Sequence, residues 1–165
     1  MKKIVFVLFC LLACLANVQA QQVTKTAHKK GVKTDVVTTG SMTIRKPSYI
    51  CISTDNDRDQ LIMDGTKFTM TMGGKKHVTD SKKNAQFATF HAVLEAVING
   101  RPIPAGEDLT VATKGSEQTI TITPTGKKRR QMFTSFVLVV DAKTSAFHQL
   151  RMNDRSGGYT EYTFK

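Results

Sequence analysis

The sequence has 165 residues and a formal net charge of +11, from 24 basic and 13 acidic side chains. That length allows one ordinary domain with enough chain to bury a real core. Of the three cysteines only Cys51 lies beyond the first 20 residues, so a chain that loses that segment has no intrachain disulfide and is stabilised by packing.

Residues 1–20 read as a secretory signal peptide. Lys2 and Lys3 supply a positive start, Ile4 to Leu15 form an apolar run, and Val18-Gln19-Ala20 places small residues where a signal peptidase cuts, before Gln21. The alternative is a lipid anchor on Cys14, because Leu11-Leu12-Ala13-Cys14 has the form of a lipobox. After Ala20 the longest apolar run is Phe136 to Val140, far short of the roughly 20 residues of a spanning helix. Removing 20 residues from 165 leaves 145, and removing Lys2 and Lys3 leaves 22 basic residues against 13 acidic ones, a balance of +9. In an exported protein this charge points to anionic lipid headgroups or an acidic protein surface, with transient membrane contact, and away from nucleic acid.

Residues 21–33 have almost no apolar periodicity and predict a flexible arm, a strand at most; the folded domain is expected over residues 34–165. From Met42 onward, short alternating segments bounded by turn residues predict antiparallel strands: 42–44, 49–53, 60–63, 68–72 and 77–79. Asp64-Gly65 and Gly73-Gly74 are the tight turns between them. In Phe68-Thr69-Met70-Thr71-Met72 the apolar side chains share one face, a core or cavity face. Cys51 falls within the alternation of Tyr49 to Ile52, where a buried, inert thiol is expected.

Ser81 to Asn99 breaks the pattern. Phe87, Phe90, Leu94, Val97 and Ile98 recur at helical spacing, with Ser81 available as N-cap and Gly100 and Pro102 beyond the end. This predicts one amphipathic helix, and His91 beside its stripe reads as a packing residue. A second run of strands follows at 109–112, 119–123, 132–141, 147–152 and 159–164. Between them Lys127-Lys128-Arg129-Arg130 forms a basic hairpin tip, either a solvated turn or a docking patch. The fold class is therefore mainly β, an unclosed barrel or strongly curved antiparallel sheet with a helix covering its concave face.

The residues carry little chemistry. His28, His77, His91 and His148 stand singly, Asp55, Asp57 and Asp59 lack the glycine and distant glutamate of a calcium loop, and there is no nucleophile elbow or phosphate-cradling loop. No catalytic residue, metal or cofactor is predicted. What the chain has instead is soft apolar surface: Met42, Met63, Met70, Met72, Met132 and Met152, with seven phenylalanines after the leader, could line a concave face suited to flexible acyl chains or simply fill a core.

Gly40-Ser41-Met42-Thr43-Ile44-Arg45-Lys46-Pro47 followed by Tyr49 resembles a strand of the outer-membrane lipoprotein carrier (LolA-like) family. Leu61-Ile62-Met63-Asp64-Gly65-Thr66-Lys67-Phe68 resembles that family's hairpin, and Ile120 to Pro124, Phe136 to Asp141 and Leu150 to Phe164 resemble its last strands. The resemblance covers residues 37–165. It implies an unclosed β-barrel whose apolar concavity, here lined by Phe68, Met70, Met72, Phe87, Phe90, Leu94, Ile120 and Ile122, takes the acyl chains of lipoproteins or related lipids in the periplasm. It implies delivery toward the outer membrane in exchange with inner- and outer-membrane transport proteins, no covalent chemistry, and a lid contact at Lys46. The competing reading is a secreted β-rich module that docks an acidic partner through Lys127 to Arg130; an enzyme acting on envelope lipid is a third.

Overall fold

The structure, a computed structural model, describes residues 19–125 and 132–165. Residues 1–18 of the expected leader and the Lys127–Arg130 cluster lie outside the described residues. Eleven strands follow in chain order: β1 Gln19–His28, β2 Val36–Arg45, β3 Tyr49–Thr54, β4 Asp59–Asp64, β5 Lys67–Met72, β6 Lys75–Asp80, β7 Leu109–Lys114, β8 Glu117–Ile122, β9 Phe133–Asp141, β10 Phe147–Asp154 and β11 Tyr159–Phe164. One helix, α1, spans Ala85–Ile98 between β6 and β7.

The strands form a single antiparallel sheet in the order β6-β5-β4-β3-β2-β1-β11-β10-β9-β8-β7. Two meanders meet at the β1–β11 pairing, where Gln22 and Lys165 exchange backbone hydrogen bonds of 3.2 and 2.9 Å. The sheet stays open, with β6 and β7 as its edges. Because α1 is the connection between those two edges, the chain has to cross a face of the sheet there, and the apolar side of the helix selects the concave one.

Of the segment read as a flexible arm, a strand at most, residues 21–28 belong to strand β1 at the centre of the sheet, and residues 29–33 lie in the loop after it. β1 pairs with β2 from Gln19 to Ala27 and with β11 from Val23 to His28, so main-chain hydrogen bonds on both edges hold it where side-chain periodicity is weak. The folded unit thus takes in β1 along with residues 34–165. Cleavage after Ala20 would remove only its first two positions, which pair with β2 alone.

Alternation sends one side chain in two to a shared interior: Met42 and Ile44, Ile50 and Ile52, Leu61 and Met63, Phe68 and Met70, Ile120 and Ile122 are all buried in one cluster. Two irregularities add to it. The β9–β10 register shifts between Asn153 and Asp154, and again between Phe147 and Gln149. These bulges insert one extra residue each, so Phe133 and Phe136, and likewise Phe147 and Leu150, all face inward although they are three apart. At Gly40 a Cβ would lie 1.8 Å from the Ser53 carbonyl oxygen, so only glycine lets β2 and β3 approach this closely.

Candidate functional site

The site is the interior between sheet and helix. α1 starts three residues later than Ser81 suggests. Asp80 organises a turn first, its carbonyl accepting from the backbone N–H groups of Lys83 and Asn84, and Asn84 is the actual N-cap, its Oδ1 accepting from Gln86 N at 3.1 Å. Ser81 is buried, its N–H donating to the Thr66 carbonyl. At the other end Gly100, at φ +61°, donates to Val97 and Arg101 donates to Ala96, the paired bonds of a Schellman stop.

The helix buries Phe87, Phe90, Val93, Leu94, Ala96, Val97 and Ile98, a wider apolar face than the predicted stripe. Its phenylalanines enter an aromatic cluster with both halves of the sheet. Phe90 stacks on Phe136 of β9 at 4.4 Å between ring centroids and 9° between planes, with Phe68 of β5 at 5.5 Å. Phe87 meets Phe68 at 5.2 Å and Phe136 at 5.8 Å. Beside this cluster, beneath Leu94, remains an apolar cavity of about 10 Å³ lined by Met42, Ile50, Ile52, Leu61, Met63, Phe68, Phe147, Leu150 and Phe164. That is room for about one water molecule. With α1 in this position the cavity is far too small for an acyl chain.

Polar contacts fasten the helix at its margins. Gln86 is buried and satisfied at both ends of its amide: Nε2 donates to the Phe133 carbonyl at 2.9 Å, and Oε1 accepts from Met132 N at 3.3 Å. Thr89 donates to Asp108 Oδ2 at 2.6 Å, and His91 Nε2 lies 2.9 Å from the Gly65 carbonyl in the β4–β5 turn. Asn84 Nδ2 donates to Thr79 Oγ1, and Asn99 Nδ2 to the Pro47 carbonyl at 2.8 Å. Gln86→Leu, which strands two backbone groups, is expected to lower stability by about 1–3 kcal/mol and to speed amide exchange in α1 more than in the sheet. Urea denaturation with exchange mass spectrometry checks both.

One end of the interior is polar. Lys25 of β1 is buried and pairs with Asp59 of β4, which also accepts from Gly73 N at 2.9 Å. Burial works to raise the Asp59 pKa, but these hydrogen bonds and the charges of Lys25 and Arg58 outweigh it and hold the carboxyl below its ordinary range. Tyr162, opposite Lys25, is pushed well above the normal phenol range by burial and by Asp59. Thr54, opposite Asp59, has a buried hydroxyl with no partner among the described residues. Elsewhere, Cys51 is half-buried rather than buried, and that partial burial chiefly pushes its thiol above the ordinary range. Among the described residues no three His, Cys, Asp or Glu side chains gather as metal ligands.

Of the residues predicted to line the cavity, Phe68, Met70, Phe87, Phe90, Leu94, Ile120 and Ile122 come together in the buried cluster, but only Phe68 and Leu94 border the remaining space. Met72, at the end of β5, is half-buried and outside the cluster. Met132, counted with the concave methionines, is exposed just before β9 begins. Lys46 is exposed, and the polar link from its turn to the helix is the Pro47 carbonyl. Ile50, Ile52, Leu61, Phe147, Leu150 and Phe164 also border the cavity; the first three and Phe164 alternate regularly like any core residue, and a bulge hides the common facing of Phe147 and Leu150 from a strict period of two.

Among the described residues, an open antiparallel half-barrel with an interior largely apolar and covered by a single helix is the architecture these observations define. Residues 16–165 match the family model of the outer membrane lipoprotein carrier protein LolA, and the chain belongs to that family. No curated protein matches the sequence. Among solved structures it is similar to a LolA superfamily protein from Nitrosomonas europaea (9% identity over 90% of this chain and 84% of that one, TM-score 0.35). It is also similar to an outer membrane lipoprotein-sorting protein domain from Vibrio parahaemolyticus (10%, 88% and 83%, TM-score 0.36). A third is the structure of the CwlD amidase from Clostridioides difficile in complex with the GerS lipoprotein (14%, 95% and 88%, TM-score 0.33).

Proposed function

We propose that this protein is an exported, periplasmic carrier that shelters the acyl chains of lipoproteins or related lipids beneath α1 and passes them toward the outer membrane without covalent chemistry. The observation that carries the reading is a cavity lined wholly by apolar side chains, including Met42, Met63 and Phe68, under a helix fastened by side-chain hydrogen bonds at its margins. Membership of a family of lipoprotein carriers supports it. In the closed form the aromatic stripe of α1 occupies the space an acyl chain would need. Cargo therefore replaces helix: burial of the acyl chain, at about 0.8 kcal/mol per CH₂, offsets the loss of helix packing. Release follows when α1 returns, so the same contacts serve as cover and as competitor.

The test is native mass spectrometry of the exported protein with a diacylated lipopeptide, followed by amide exchange. A bound adduct, with exchange of the 85–98 amides faster in the adduct than in the free protein, is the expected result. A mass unchanged by lipopeptide would overturn the carrier reading. An adduct with α1 still protected would place the lipid elsewhere than beneath the helix.

A further inference from the structure

The β1–β2 hairpin stands out from the rest of the sheet. β2 pairs with β1 as far as Val36, but β3 joins it only from Gly40, with Asp55 N reaching Thr39. Residues 36–38 therefore run about 10 Å past the end of β3, and the loop of residues 29–35 lies beyond them. The base of the hairpin is well seated. A Cβ at Gly158 would come within 2.5 Å of the His28 carbonyl, and one at Gly157 within 3.0 Å of the Lys30 stem, so the glycine turn after β10 holds the hairpin closely.

What projects is basic and apolar together. Lys29, Lys30 and Lys33 are exposed, and Val32, Val36 and Val37 are 49%, 62% and 59% exposed. These are three of the six large hydrophobic side chains that stand exposed among the described residues. The one acid in the loop does not neutralise the tip. Asp35 is drawn back to the sheet, 2.7 Å from His28 Nδ1 and accepting from the Tyr159 hydroxyl at 3.4 Å, while His28 stacks on the Tyr159 ring. Asp55 and Asp57 of the next turn sit behind it, at the level where β3 ends. Valines flanked by lysines at a protruding tip match a surface that offers negative charge at its face and hydrocarbon just beneath. An acidic protein would reward the lysines but leave the valines unused.

We propose that the β1–β2 hairpin docks on anionic lipid bilayers, Lys29, Lys30 and Lys33 lying among the headgroups and Val32 entering the acyl boundary. This surface is separate from the interior under α1 and stands whether or not that interior carries lipid.

The experiment is co-sedimentation of the exported protein with vesicles of phosphatidylcholine, with and without phosphatidylglycerol. Expected is retention on the anionic vesicles only, decreasing with salt. Each lysine contributes about fivefold, so Lys29→Gln/Lys30→Gln/Lys33→Gln should lose on the order of a hundredfold in partitioning. Val32→Asn should weaken it further at unchanged charge. Lys82→Gln/Lys83→Gln/Lys114→Gln, which removes as many exposed charges elsewhere, should bind as the parent does. All these positions are on the surface, and matching thermal melts verify that the variants are folded. Failure of the parent to bind anionic vesicles would overturn the proposal. So would equal losses in both lysine variants, which would mean non-specific charge attraction. Indifference to Val32→Asn would overturn the bilayer assignment in favour of an acidic protein surface.

Discussion

Replacing Phe90 with alanine is expected to cost about 3–5 kcal/mol of folding stability while improving lipid capture. The ring is fully buried and stacked between the two halves of the sheet, on Phe136 at 4.4 Å and near Phe68 at 5.5 Å. Its removal therefore loses both the transfer of the side chain from water and the contacts that three other rings, Phe68, Phe87 and Phe136, make with it. A void at this point, however, is space that an acyl chain otherwise gains only by displacing the helix. Stability and capacity should consequently move in opposite directions. Urea denaturation read against lipopeptide affinity measures both. If affinity falls in step with stability, or does not respond at all, the acyl chain does not compete with the helix stripe.

The second large effect concerns the polar end of the interior. Lys25→Met is expected to destabilise by about 3–5 kcal/mol, because it leaves the Asp59 carboxylate in a poorly solvated place without its cation. The double variant Lys25→Met/Asp59→Leu should recover most of that loss, since well-packed apolar residues can replace a buried pair at little cost. The pH dependence has a definite sign. Asp59 in the folded protein titrates below its ordinary value of 3.8, so the folded state binds the proton less readily than the unfolded chain does. The pair's contribution is present above pH 3.8 and disappears as the pH falls below it, toward the depressed folded value. Relative to the double variant, the parent should lose stability faster in that acid range. A double-mutant cycle with no coupling, or parallel acid profiles, would show that the pair contributes nothing to folding stability.

Much of this was legible along the chain. Ten of the eleven strands and the helix follow from the spacing of apolar residues, as in Phe68-Thr69-Met70, where alternate side chains report a sheet face directly. The family resemblance likewise rested on short turn motifs whose order survives in the fold. Less was legible of the site. Most of the residues assigned to a cavity do lie together, yet they are packed against one another and against α1, because spacing records which side of a strand a residue occupies and not what fills the space in front of it.

Local chemistry therefore determined the strand and helix content, the turns at Asp64-Gly65 and Gly73-Gly74, and the inward face of each strand, since these depend on neighbours within a few residues. Only the tertiary structure decided that Gln19–His28 joins the two meanders, that Lys25 and Asp59 meet across the interior, and that bulges turn Phe133 and Phe147 inward. Those outcomes depend on partners in other strands, seven residues away where Phe147 pairs with Val140 and 34 for Lys25 and Asp59, and pairing across strands leaves little signature in the local order of the side chains.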